Sequence, residues 1–166
     1  SAYSHLLAQH YGCSKQKSED ILNYASLHDI GKVAIPGEIL RKPARLTHEE
    51  FDIIKTHSYQ GFKIIDNDGI PDVAKNIVRY HHEKWDGSGY PDGLEGTNIP
   101  VEARVVALAD VFDALTNKRV YKGAFSLEKS LQIIHESAGS HFEPKLVQVF
   151  DSVLDELLQI QKTFSD

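Results

Sequence analysis

The sequence is poor in sulfur. Its 166 residues hold one cysteine, Cys13, and no methionine. A single cysteine cannot close an internal disulfide, so a reducing compartment, the cytoplasm, is the expectation. It also excludes a cysteine-rich structural zinc site. With Ser1 in first place and no methionine start, the chain is expected to be a piece of a longer protein. Positive charge is scarce too: 18 Lys and Arg against 24 Asp and Glu leave a formal charge of −6. A duplex nucleic acid, held mainly through its phosphates, is a poor partner for such a chain. No apolar run approaches the roughly 18 residues of a membrane helix, and the first residues do not resemble a signal peptide. No membrane contact is expected of this segment.

What is present is an ordinary globular balance, 41% hydrophobic and 25% charged, over a length that suits one domain. Histidine is the exception. There are nine, in a chain with almost no other soft ligand, so a His/carboxylate metal site stays open where a thiolate site does not.

Helical periodicity runs along nearly the whole chain. Helices are expected over 2–12 and over 18–28, where Ile21, Ala25 and His28 share a stripe. Thr47-His48-Glu49-Glu50 has the capping-box pattern before Phe51, Ile54, Phe62 and Ile65. Pro71 suits the first turn of a helix to about His82, and Pro100 opens another carrying Val101, Val105, Leu108, Phe112 and Leu115. Ser126 caps a helix ended near Gly139, and a last stripe runs over 143–162. Between them, 83–99 holds Gly87, Gly89, Gly93 and Gly96 and reads as a long ordered loop, of the sort that is more often functional than idle. One all-α domain is the expectation.

Several residues on this frame have the chemistry of ligands. His28-Asp29 offers one nitrogen and one carboxylate able to bridge two ions, though a core histidine beside a capping aspartate is the commoner use of such a pair. His81-His82 ends a helix, where one inward and one solvent-facing ring is the plain alternative. Asp110 and Asp113, at i and i+3 among Val105, Val106, Ala109 and Phe112, are hard to read as a solvated face; buried carboxylates call for cations or metals. His57, taken singly, reads as a capped or surface histidine. Lys32, Arg119 and Lys122 are the nearest basic groups and suit phosphate. His82-Glu83-Lys84-Trp85-Asp86 fails as a zinc-protease motif for want of a second histidine on a helix, and Gly87–Gly93 has the wrong spacing for a dinucleotide fingerprint. His5, His10, His48, His135 and His141 have no ligand-like neighbours.

Taken in order, these strings resemble the HD-GYP domain, a subclass of the HD metal-dependent phosphohydrolases. The resemblance covers nearly the whole chain: His28-Asp29-Ile30-Gly31-Lys32, Lys55-Thr56-His57, His81-His82-Glu83-Lys84-Trp85-Asp86-Gly87-Ser88-Gly89-Tyr90-Pro91, Ala109-Asp110-Val111-Phe112-Asp113, Arg119 with Tyr121-Lys122, and His141-Phe142-Glu143-Pro144. It implies a helical bundle that hydrolyses cyclic di-GMP to pGpG or GMP with a metal-activated hydroxide. The ligands of a two-metal centre would be His28, Asp29, His57, His81, His82 and Asp110, with Asp29 bridging. Asp29 and Lys32 would be catalytic, and Lys32, Tyr90, Asp113, Arg119 and Lys122 would line the substrate. The mixed N/O set favours Fe or Mn, with Ni, Co, Zn and Mg as further choices. The family's additional first-helix histidine falls before Ser1 in this register, which leaves a third metal open. Cyclic GMP-AMP is the rival substrate, since no residue visibly reads a base. A non-catalytic nucleotide-binding or docking module acting through the Gly-rich loop is the rival of a different kind. A sensor or receiver domain is expected in the full-length chain.

Overall fold

The computed structural model describes residues 1–117 and 123–165. Among these residues there are ten α-helices, two 3-10 segments and no β-strand, as the periodicity predicts. The helices are α1 (Ala2–Tyr11), α2 (Lys15–Tyr24), α3 (Gly37–Leu40), α4 (His48–Lys55), α5 (His57–Ile65), α6 (Asp72–Tyr80), α7 (Val101–Thr116), α8 (Leu127–Glu136), α9 (Pro144–Ser152) and α10 (Leu154–Ser165).

Local chemistry sets most ends where the sequence places them. The Thr47 hydroxyl accepts from the Glu50 amide while the Glu50 carboxylate accepts from the Thr47 amide, a complete capping box on α4. Ser126 caps α8 by accepting from the Lys129 amide. Three boundaries differ from expectation. The helix expected through His28 stops at Tyr24, and Ala25–Ala34 continues as a 3-10 helix. The expected run from Phe51 to Ile65 breaks at Thr56, whose hydroxyl and amide both donate to the Ile53 carbonyl. The final stripe divides at Val153, with φ −114°, yet Leu146, Phe150, Val153 and Leu157 all stay buried. Apolar spacing survives that break, so it carries no trace of it.

The core is built on α7. Val105, Val106, Leu108, Ala109 and Phe112 pack with Leu7 and Ala8 of α1, Ile77 of α6 and Phe150 of α9. Phe112 meets Tyr3 and Phe150 edge-on at centroid distances of 5.3 and 5.2 Å. A smaller cluster of Ile65, Ala74 and Val78 supports Leu27 and Ile30 of the 3-10 segment. That segment lies against α5 so closely that a Cβ on Gly31 would overlap the His57 carbonyl, and a Cβ on Gly61 would stand 2.8 Å from Val78. Glycine at these positions lets two histidine-bearing elements touch. The segment 83–99 holds no α-helix and includes the short 3-10 turn Gly96–Asn98.

Candidate metal centre

A carbonyl oxygen has two lone pairs, and three histidines of this chain use the second one on a carbonyl three or four residues back. His28 lies in the 3-10 segment and its Nδ1 donates to the Ala25 carbonyl at 2.7 Å. His57 follows the break after α4 and its Nδ1 donates to the Ile54 carbonyl at 2.7 Å. His81 closes α6, with Nδ1 3.0 Å from the Ile77 carbonyl and 3.1 Å from that of Val78. A carbonyl oxygen only accepts, so each ring donates through Nδ1 and is turned with Nε2 toward the interior of the site.

The three Nε2 atoms converge on Asp29. Asp29 Oδ1 stands 3.4 Å from His57 Nε2 and 3.8 Å from His81 Nε2, while Oδ2 stands 3.3 Å from His28 Nε2. Asp110 Oδ1 lies 3.4 Å from His28 Nε2 on the other side. One carboxylate therefore spans two groups: Asp29, His57, His81 and His82, whose ligand atoms all lie within 4.8 Å of one another, and Asp29, His28 and Asp110. His57 Nε2 and His81 Nε2 face each other at 3.4 Å. Nitrogens about 2.1 Å from one ion stand roughly 3.0–3.4 Å apart at angles between octahedral and tetrahedral. The donor set and its spacing fit a divalent cation.

The electrostatics agree. Burial works against ionising Asp29, but hydrogen bonds from His28, His57 and His81 outweigh it and hold the carboxyl well below the usual range. Burial and the neighbouring imidazoles His81 and His57 press the His82 pKa down to about 3, so that ring is neutral near pH 7. Burial also opposes charge on His28, yet Asp110 and Asp29 overcome it and lift its pKa to about 10. Two carboxylates on either side of one imidazole make this a place that favours positive charge.

The remaining predicted residues distribute as follows. Lys32 Nζ contacts Asp29 Oδ2 at 2.9 Å with 44% of its side chain exposed. Asp113 accepts from Asn117 Nδ2 at 2.6 Å and, with His28, Asp110 and Asn117, lines a cleft of about 510 Å³. Tyr90 stacks on His82 with centroids 4.9 Å apart and ring planes at 21°. Arg119 and Lys122 lie outside the described residues. His57 is a correction to the reading of that residue alone: it is 1% exposed, not a surface histidine. Of the histidines with no ligand-like neighbours, His135 pairs with Asp151 at 2.7 Å and His141 stacks on Phe142.

Sequence reasoning missed Glu83, a 3% exposed carboxylate whose only trace in the sequence is its place after the histidine pair. It also missed the Tyr11–Arg104–Glu143 cluster, in which Arg104 Nη1 donates to Glu143 at 2.6 Å and to Tyr11 Oη at 3.1 Å. Residues 11, 104 and 143 are too far apart in the chain for spacing to join them.

Comparison with known proteins places this geometry. Residues 1–146 match the sequence model of the HD domain family. A 3'3'-cGAMP-specific phosphodiesterase 2 of Vibrio cholerae is 43% identical over 166 residues, 99% of this chain and 32% of that protein. A cyclic di-GMP phosphodiesterase of the same organism is 45% identical over 149 residues, 86% of this chain and 30% of that protein. The cyclic di-GMP phosphodiesterase response regulator RpfG of Xanthomonas campestris is 41% identical over 162 residues, 96% of this chain and 43% of that protein. The chain thus spans about a third to two fifths of the length of these relatives. Among solved structures, Bd1817, a HDG"Y"P protein from Bdellovibrio bacteriovorus, superposes over 92% of this chain and 49% of its own with a TM-score of 0.70 and 22% identity. The cyclic GMP-AMP specific phosphodiesterase V-cGAP3 of Vibrio cholerae does so over 92% of this chain and 42% of its own, with a TM-score of 0.68 and 20% identity. With helices throughout, a His/Asp cluster suited to divalent metal and this match over its first 146 residues, the chain belongs to the HD domain family.

Proposed function

We propose that this chain is the hydrolytic module of a cyclic dinucleotide phosphodiesterase, opening cyclic di-GMP to pGpG or GMP at a centre of two divalent ions. The observation that carries the reading is the facing pair of Nε2 atoms on His57 and His81, joined through Asp29 to His28 and Asp110. Asp29 Oδ1, His57, His81 and His82 would hold one ion, and Asp29 Oδ2, His28 and Asp110 the other. The mixed nitrogen and oxygen donors suit Fe or Mn first, with Ni, Co, Zn and Mg behind them.

Bound ions supply two things here: a water acidified enough to attack phosphorus, and positive charge for the phosphate oxygens. The protein does the rest. Asp29 stays ionised and His82 neutral near pH 7, so neither has to lose a proton to coordinate. The backbone carbonyls behind His28, His57 and His81 hold each ring in one tautomer and one orientation. Lys32 is partly exposed and its ammonium lies 2.9 Å from Asp29 Oδ2, within a side-chain rotation of a non-bridging phosphate oxygen bound at the centre. The cleft beside His28 and Asp110 has the volume of a small-ligand site and is lined by Asp113, which is assigned to the substrate together with Tyr90, Arg119 and Lys122.

A second substrate, cyclic GMP-AMP, has a specific observation in its favour: the Vibrio cholerae relative matched over 99% of this chain is named for it. Rates on the two dinucleotides, measured side by side with metal-loaded protein, separate them; faster turnover of cyclic di-GMP supports the first reading and the reverse order the second. Metal-loaded protein that cleaves neither would leave a nucleotide-binding or docking module. The substrate and the single cysteine suit the cytoplasm. The greater length of the relatives supports placing this module beside a sensor or receiver domain in a longer signalling protein.

A further inference from the structure

Four imidazoles meet at the candidate centre, but only three are held from behind. His28, His57 and His81 each donate Nδ1–H to a backbone carbonyl, whereas among the described residues no hydrogen bond reaches the ring of His82. An imidazole free to turn about two torsions loses orientational entropy on binding an ion, so a ligand of this kind needs some other restraint.

The Gly-rich loop provides one. Tyr90 stacks nearly parallel on His82, with centroids 4.9 Å apart, and its amide donates to the His82 carbonyl at 3.2 Å. His82 also meets His57 and His81 at centroid distances of 5.0 and 4.1 Å, so Tyr90 is the one ring contact of His82 that comes from outside the histidine cluster. The loop is in turn gripped by the next residue in the chain. Glu83 Oε1 accepts the amides of Asp92 at 2.7 Å and Gly93 at 3.1 Å, and Oε2 accepts that of Leu94 at 3.0 Å. Three amides on one buried carboxylate fix the loop immediately after Tyr90-Pro91. Gly89 completes the fit: a Cβ there would stand 2.6 Å from the Glu83 Cα, so the loop backbone lies directly on residues 82–84.

We propose that Tyr90 and Glu83 are positioning residues for His82: Glu83 holds the loop, and the loop presses the Tyr90 ring flat against the imidazole so that one ring nitrogen faces Asp29. The inference rests on the reading of His82 as a metal ligand. It assigns Tyr90 to the support of the centre, a role separate from contact with substrate, and it gives Glu83 a role through another residue.

Cobalt(II) titration of the protein, read by visible absorption and by competition with a chromophoric chelator, tests this without turnover. Tyr90→Phe keeps the flat ring and is expected to bind cobalt as the wild type does. Tyr90→Leu and Glu83→Gln are each expected to weaken cobalt binding roughly 10- to 100-fold, the usual effect of losing an outer support of a ligand. The double variant is expected to be no weaker than the worse single one, because both act on one ring. Melting temperatures of the metal-free proteins accompany each titration, and a loss of affinity counts only where the metal-free variant melts with the wild type. Wild-type affinity in Tyr90→Leu, or additive losses in the double variant, would overturn the inference. Wild-type protein that takes up no cobalt would instead overturn the metal-centre reading beneath it.

Discussion

His57 Nε2 and His81 Nε2 face each other across 3.4 Å, and each ring is turned so that its Nδ1 donates to a backbone carbonyl. Both rings are buried, and Asp29 Oδ1 stands 3.4 and 3.8 Å from these two nitrogens. Folding the chain therefore gathers nitrogen and carboxylate donors at one buried point before any ligand arrives.

Divalent metal should consequently stabilise the fold. At about a hundred times its Kd, Mn²⁺ adds about 2.7 kcal/mol, which at this chain length corresponds to a Tm rise of roughly 5–11 °C. Chelator should reverse the rise, and His57→Ala should abolish most of it. Scanning fluorimetry with and without metal is the check; an unchanged Tm in wild-type protein at saturating Mn²⁺ counts against the site.

Asp29 and Lys32 should fail in different ways. Asp29→Asn removes the anionic bridge between the two ligand groups, so metal content and turnover should fall together. Lys32→Ala leaves every candidate ligand in place; metal content should hold while kcat drops on the order of 10²-fold, the scale of losing one donor to a developing phosphate charge. Elemental analysis beside steady-state kinetics distinguishes the two. Full metal content in Asp29→Asn would contradict its bridging role.

Much of this was legible in the sequence. The all-α class follows from spacing alone, and the capping box at Thr47 and the Ser126 cap form as their residue types predict. The candidate ligand strings stand out only when taken in order as a family resemblance, since His28-Asp29 and His81-His82, each read alone, favour core, cap or surface uses. His57 is a harder case. Nothing local separates it from a surface histidine, since its burial depends on the 3-10 segment and α5 meeting at Gly31 and Gly61. The tautomers were out of reach for a related reason: they depend on where helices end, and two of those ends, after Tyr24 and at Thr56, fall inside stripes whose periodicity continues past them.

The close approach at Gly31 makes a stability prediction. Gly31→Ala would drive a methyl group into the His57 carbonyl, which can yield only by separating α5 from the 3-10 segment. Overpacking of this kind costs about 3 kcal/mol or more, or a Tm loss of roughly 6–12 °C in a chain of this size. Thermal melts of the metal-free variant measure it, and a melt coincident with the wild type would show that the contact is softer than it looks.

Acid should weaken the fold partly through His141. Burial, helped by the Lys84 ammonium, lowers its pKa to about 4 from an ordinary value of about 6.5. Between those values the unfolded chain holds a proton on this residue that the folded chain does not. Stability is then fully present above pH 6.5 and is lost as pH falls toward 4. His141→Gln removes that group, so the stability difference between wild type and variant should shrink steadily on acidification across this window. Urea denaturation at several pH values measures it, and a pH-independent difference would assign the acid sensitivity elsewhere.

The central claim is that this His/Asp centre hydrolyses cyclic dinucleotides with bound metal. Its most direct test is chromatography of cyclic di-GMP and cyclic GMP-AMP after incubation with manganese- or iron-loaded protein, beside the same protein stripped by chelator. The expected result is linear product from at least one dinucleotide with the loaded protein alone, and none from the stripped protein until metal is restored. Both cyclic dinucleotides intact after incubation with protein shown to carry two equivalents of metal would contradict the claim.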